Sequence, residues 1–553
     1  MASLQDNLAV RLLLPVVERG DGEHPALSQG DRTWSYAELW SHVGRVAAIL
    51  RELRVKRGER VAVLMSDSLE AAGAVLSILH AGAVAVPLSE LARPDAIREC
   101  LQHSGAVVAI VHQTLEPTLD EISAGVHSLR HIVCVGGTER PGVHDLDDWL
   151  TAGVQPADPI AVAKSDQSLL LYSKLGVENE LRGVPHSHEV PILAYESFAR
   201  SIVPLEASDC VFSLGRLYSS YGLGTGLFFP LAAGCHSLLL RGRPRSSAIL
   251  QVFDAFDVTV FCATASVFGQ LARDTEEQGG RTLSSCRLAI SGAESMPPQL
   301  IPRIRDLLGV DVNVGYGLTE AFQFVIAGVA SKLPPGSAGR TVAGFETRII
   351  DEHGNPVGTH EIGTLAIRGP TVLPRYWGRD ERSDSFHDDW FRTRDRFMVD
   401  EDGHYFHCGR TDELFKVGGK WVSPQEIERA LMAHEAVWDC AVVDADDEDG
   451  LVKPYAFLVP NVGQTAGDEL ERDLRNYVKN VLAPYKYPRW FEFCERLPKG
   501  PTGKVLRYKL KPKLSERRAE PMPRGNTAEI ATPDPGDAPS TPDPGDAPST
   551  PTA

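Results

Sequence analysis

The stretch GERVAVLMSDSLEAAGAVLSILHAGAVAVPLS, Gly58 to Ser89, decides the fold class. GERVAVLM reads as a buried strand, LEAAGAVLSILHAG as a helix, and AVAVPLS as a second strand. Strand, helix and strand in so short a span call for parallel strands joined by a helical crossover. The same texture extends in both directions. Upstream, SYAELWSHVGRVAAILRELRV has helical spacing that puts Leu39, Val43, Val46, Ala47, Leu50 and Leu53 on one side. Downstream come a helix around PDAIRECLQHSG and a strand at AVVAIVH. A second block repeats the alternation, with LLLY, CVFSLG, HSLLLR, VTVFCAT and CRLAISG as strand candidates. After Gly339 the segments shorten and alternate between glycines, as in TRIIDEHGNPVG and DEDGHYFHCGR, which predicts a smaller β-rich unit. A last compact α/β piece follows.

At 553 residues with 43% apolar content, the chain is too long for one core and rich enough to fill several. A net charge of −18 excludes long-range attraction to nucleic acid or anionic membrane, so an anionic ligand needs a local site. The nine cysteines are scattered with no C-x-x-C pair, which fits reduced thiols and a cytoplasmic location rather than a disulfide framework or zinc site. No signal peptide or membrane span is expected. The end of the chain repeats TPDPGDAPS in tandem, Thr532 to Ser540 and Thr541 to Ser549, a composition that cannot bury a core and predicts disorder.

Three stretches carry a resemblance: GYGLTEA (Gly315 to Ala321), DRFMVDEDGHYFHCGRTDELFKVGGKWVSPQEIE (Asp395 to Glu428), and LAPYKYPRW with LPKGPTGKVLR (Leu482 to Arg507). In this order they resemble the adenylate-forming superfamily of acyl-CoA synthetases. SSYGLGTGLFFPLAAG and VGGKWVSP look most like benzoate-CoA and other aryl-CoA ligases. The resemblance implies an α/β fold with a large N-terminal AMP-binding domain over 1–411, its β-rich subdomain at about 339–411. It implies a small mobile α+β domain over 412–517, with 518–553 as the tail.

It also implies roles. Thr319 and Glu320 match the residues that contact the AMP phosphate and hold magnesium, for which a carboxylate is a suitable hard ligand. Asp395 matches the aspartate that binds both ribose hydroxyls, and Arg410 the arginine that supports the nucleotide. Ser291, Gly292, Ala293 and Glu294 match the adenine-flanking segment, with Tyr316 as the stacking ring. Asp412 matches the hinge between two poses of the small domain. Lys416, Gly418, Gly419 and Lys420 match the loop that lines the CoA thiol tunnel. Lys504 matches the lysine that bridges carboxylate and α-phosphate during adenylate formation. Tyr221, Gly222 and Gly224 match the acyl-pocket wall.

One stretch departs from the pattern. Relatives read approximately YSSGTTGxPKGV where hydroxyls and glycine amides wrap the ATP phosphates. Here the stretch is YSKLGVENELRGV. Ser173 and Gly176 survive, Lys174 is new, and Arg182 takes the lysine's place, but the central hydroxyls are gone and Glu178 and Glu180 add negative charge. A carboxylate at about 5 Å from a phosphate, at an effective dielectric of about 20, costs roughly 3 kcal/mol. Arg394 also replaces the glycine of the usual Thr-Gly-Asp. The expectation is therefore an enzyme that uses acyl-AMP and CoA for thioesterification, with another ligase supplying the adenylate. Two alternatives stay open: a complete ligase using ATP and magnesium, and a catalytically silent binding homologue.

Overall fold

The alternation around Gly58 to Ser89 becomes a seven-stranded sheet ordered Val143–Asp145, His131–Val135, Val108–His112, Arg60–Leu64, Val84–Pro87, Gln167–Leu175 and Glu180–Ser187. All neighbours are parallel except the last pair, an antiparallel hairpin. The computed structural model describes residues 2–175, 180–200, 202–373, 375–379, 385–411, 414–417, 420–447, 450–461, 463–499 and 505–510; for Lys174, Leu175, Glu180, His387, Lys420, Trp421 and Tyr508 it describes the backbone alone. Gly176, Glu178, Asp412, Gly418, Gly419, Lys504 and the tail 518–553 lie outside the described residues.

The helices form where the apolar spacing places them. Tyr36–Glu52 starts at a capping box in which Ser35 accepts from the Glu38 amide and Glu38 accepts from the Ser35 amide. Leu39, Val43, Val46 and Leu50 are buried on its inner face. Leu69–His80 is buried on every side, as a crossover helix packed between layers must be. The N-terminal apolar run is the helix Leu8–Glu18, and Asn7 at its cap also donates to the carbonyls of Leu79 and Ile160 at 2.9 and 3.0 Å.

The second block forms a nine-stranded sheet whose centre, Leu288–Ser291, Val260–Ala263, Cys210–Ser213 and His236–Leu238, is parallel. Pro25–Gln29 joins this sheet beside His236–Leu238, a pairing across some two hundred residues that periodicity does not reveal. The β-rich unit is a five-stranded antiparallel sheet built on Gly363–Arg368, Trp390–Val399 and Tyr405–Arg410. The C-terminal part has a three-stranded sheet of Val437–Asp446, Val452–Pro460 and Trp490–Phe493. Its own apolar core includes Val422, Ile427, Leu431, Val442, Leu474 and Phe491. A large N-terminal domain with parallel sheets and a smaller C-terminal domain is thus the architecture, as the motif order implied.

Candidate active site

A cavity of about 650 Å³ opens where the second sheet, the β-rich sheet and the C-terminal domain meet. The strand Val312–Gly317 delivers Tyr316 to it, and the single turn Thr319–Ala321 delivers Thr319 and Glu320. The turn reverses through Phe322, whose φ of +65° is a left-handed conformation that costs a non-glycine residue of order 1 kcal/mol. Phe322 is fully buried, stacked on Phe228 and edge-on to His186, so packing holds the turn in this shape.

At one end of the cavity, Asp395 on Trp390–Val399 accepts from the Tyr316 hydroxyl at 2.8 Å and lies 3.0 Å from His407 Nε2. Arg410 pairs opposite Asp395 in the strand register. Burial alone would raise the Asp395 pKa, but His407, Arg410 and Tyr316 outweigh it and hold the carboxyl below its usual range. The group is therefore an ionised acceptor with lone pairs to spare, as recognition of vicinal hydroxyls requires. Burial and the Asp395 charge push the Tyr316 hydroxyl up, so it remains a donor.

At the other end, Glu320 Oε1 accepts from Tyr376 at 3.0 Å and from Ser173 at 3.5 Å. Burial raises the Glu320 pKa against the opposing Tyr376 bond. The Arg182 guanidinium lies 5.1 Å from the centre of the Tyr376 ring. Ser173 and Arg182 face each other in the terminal hairpin of the first sheet, and pairing continues through Lys174 with Leu181 to Leu175 with Glu180. Only residues 176–179 separate the paired strands. A magnesium ion would find one carboxylate here, Glu320; the described residues contain no group of three or more metal-ligating side chains. That suits magnesium, which takes few protein ligands and completes its shell with phosphate oxygens and water.

Other expected residues are distributed unevenly. Ala293, with a φ of +67°, and Glu294 border the cavity; Glu294 accepts from the Ser266 amide at 2.8 Å, and burial raises its pKa. Ser291 and Gly292 do not border it, and a side chain at Gly292 would meet the Phe324 ring at 2.5 Å. Tyr221, Gly222 and Gly224 also stand away from it: the Tyr221 hydroxyl reaches the Ala263 and Ile290 carbonyls at 3.3 and 3.4 Å. Gly224 leaves room for the Gln323 amide, which a Cβ would approach to 2.0 Å. Lys499, Val505 and Arg507 border the cavity, whereas Lys416 is exposed outside it.

Sequence reasoning missed Tyr376 and His407. His407 was within reach: the turn at Asp400–His404 pairs Val399 with Tyr405 and Phe397 with His407, which sets it diagonally across from Asp395, two residues along the same strand. Tyr376 is a lone residue in a connecting segment and gives no such signal.

The comparisons agree with this geometry. Residues 16–377 match the family of AMP-binding enzymes, and residues 426–504 match the C-terminal domain of AMP-binding enzymes. The chain is 35% identical to the benzoate–CoA ligase of Thauera aromatica, over 87% of this chain and 90% of that protein. It is 32% identical to the 4-hydroxybenzoate–CoA/benzoate–CoA ligase of Rhodopseudomonas palustris, over 91% and 94%. Among solved structures, the anthranilate CoA ligase AuaEII in complex with anthranoyl-AMP superposes with a TM-score of 0.84 at 32% identity, covering 91% of this chain and 96% of that one. With both domains matched and these relatives at 32–35% identity, the chain belongs to the AMP-binding enzymes of the adenylate-forming superfamily and resembles the benzoate–CoA ligases within it.

Proposed function

We propose that this protein forms the CoA thioester of an aryl carboxylic acid, and that it acts on the preformed acyl-adenylate far better than on the free acid with ATP. Support for an aryl acid comes from the relatives, which are benzoate and anthranilate ligases by name. The observation that carries the finer reading is the hairpin. Its strands stay paired to Leu175 and Glu180, so the segment that should offer free amides to two phosphates is largely spent on a ladder.

In the thioester step the CoA sulfur attacks the acyl carbonyl, the bond from the carbonyl carbon to the phosphate oxygen breaks, and AMP leaves with that electron pair while the thiol proton passes to solvent. The anhydride is already activated, so the protein's task is to position it and keep water out. Asp395 and Arg410 hold the ribose, Thr319 the phosphate, and the loop from Lys416 to Lys420, with Gly418 and Gly419, guides the thiol. Magnesium, held by Glu320, would serve only the ATP-dependent step.

A paired assay tests this. Benzoyl-AMP with CoA should give benzoyl-CoA, and benzoate with ATP, magnesium and CoA should give little. Equal rates from both would overturn the half-reaction reading, and no product from a panel of aryl-adenylates would overturn the enzyme reading itself. A complete ligase is the second reading, favoured by one observation: Val505, next to Lys504, borders the cavity while Lys416 does not, the pose suited to adenylate formation.

A further inference from the structure

Arg394 stands beside Asp395 and borders the same cavity as Thr319 and Glu320. Its backbone is pinned: the carbonyl accepts from the Thr411 amide at 2.9 Å and the Thr411 hydroxyl at 3.1 Å. Most cations around the cavity are committed. Arg303 holds Glu276, Lys499 holds Asp439 at 2.9 Å, Arg429 donates to the His407 carbonyl at 3.0 Å, and Arg507 grips both oxygens of Glu428 at 2.7 Å. The Arg394 guanidinium has no hydrogen bond or ion pair among the described residues. Glu320 accepts from Tyr376, and Asp395 accepts from Tyr316 and lies beside His407, so neither is held by Arg394.

An uncommitted guanidinium on a residue that borders the cavity is a ready phosphate ligand, with planar donors suited to two phosphoryl oxygens. Arg394 precedes Asp395, the proposed ribose ligand, on the strand Trp390–Val399, and both residues border the cavity. We propose that Arg394 binds the α-phosphate of AMP or acyl-AMP, a cation supplied by the strand in a chain whose phosphate loop has lost its donors. The inference rests on the nucleotide reading of the cavity.

The test titrates adenosine, AMP and magnesium ATP into the full-length protein and its R394Q and R394K variants by calorimetry, with thermal unfolding as the check on folding. R394Q should weaken AMP and ATP alike by about tenfold or more, the value of one charge-assisted bond, and leave adenosine within about twofold. R394K should recover part of the loss. AMP affinity unchanged in R394Q would overturn the proposal, as would an equal loss for adenosine or a loss confined to ATP. Should the unaltered protein bind neither adenosine nor AMP, the nucleotide reading fails first and takes this inference with it.

Discussion

At the Asp395 end of the cavity, the aspartate is engaged by a tyrosine at 2.8 Å and a histidine at 3.0 Å, with an arginine opposite in the strand register. At the Glu320 end, the buried glutamate draws a tyrosine at 3.0 Å and a serine at 3.5 Å, the serine lying in a hairpin whose strands stay paired to Leu175 and Glu180. The Asp395 carboxyl is held below its usual range, and the Glu320 carboxyl is held above it by burial. On the function proposed above, one cavity would combine a site for a nucleoside monophosphate with a rim poorly furnished for two more phosphates. Under that proposal the two half-reactions draw on separable parts of one site, so that one part can change while the other is kept.

The largest expected effect comes from breaking the better-built end. Asp395→Ala should weaken AMP by about a hundredfold, because two charge-assisted hydrogen bonds to the ribose are lost; a change below about threefold would mean that the ribose is held elsewhere. A smaller effect is expected at the other end. Tyr376→Phe removes a donor from a buried carboxylate and should cost roughly 1–3 kcal/mol in denaturant unfolding, yet leave the rate from acyl-AMP and CoA nearly unaltered. A collapse of that rate with unchanged stability would move Glu320 into the thiol step. The smallest effect is the acid response of Asp395. Its folded pKa is depressed, so its stabilising contribution is present above the unfolded value of 3.8 and is lost as pH falls through the lower folded value. The difference in melting temperature between the protein and Asp395→Asn should hold from about pH 7 to 5 and shrink below about pH 4.

Much of the architecture was legible because each local pattern agrees with its tertiary use. The runs at Arg60–Leu64, Val84–Pro87 and Val108–His112 are apolar without alternation since both faces of that sheet are covered. How the strands divide between sheets was not legible, because joining Pro25–Gln29 to His236–Leu238 depends on long-range packing. Thr319, Glu320, Asp395 and Arg410 border one cavity, and their motifs could single them out because motif spacing encodes strand and turn geometry. Tyr221 illustrates the limit. Its glycine-rich surroundings read as a pocket wall, whereas its hydroxyl is tied to two backbone carbonyls and its ring lies edge-on to Phe324. A glycine that admits a neighbouring side chain and one that admits a ligand look identical in sequence.

The contrast between the two ends is tested most directly by the affinities of AMP and magnesium ATP for one preparation of the protein. If the rim cannot repay the two additional phosphates, AMP should bind at least as tightly as magnesium ATP. Binding of magnesium ATP tighter than AMP by about tenfold or more would mean that a working triphosphate cradle is present, contradicting the account.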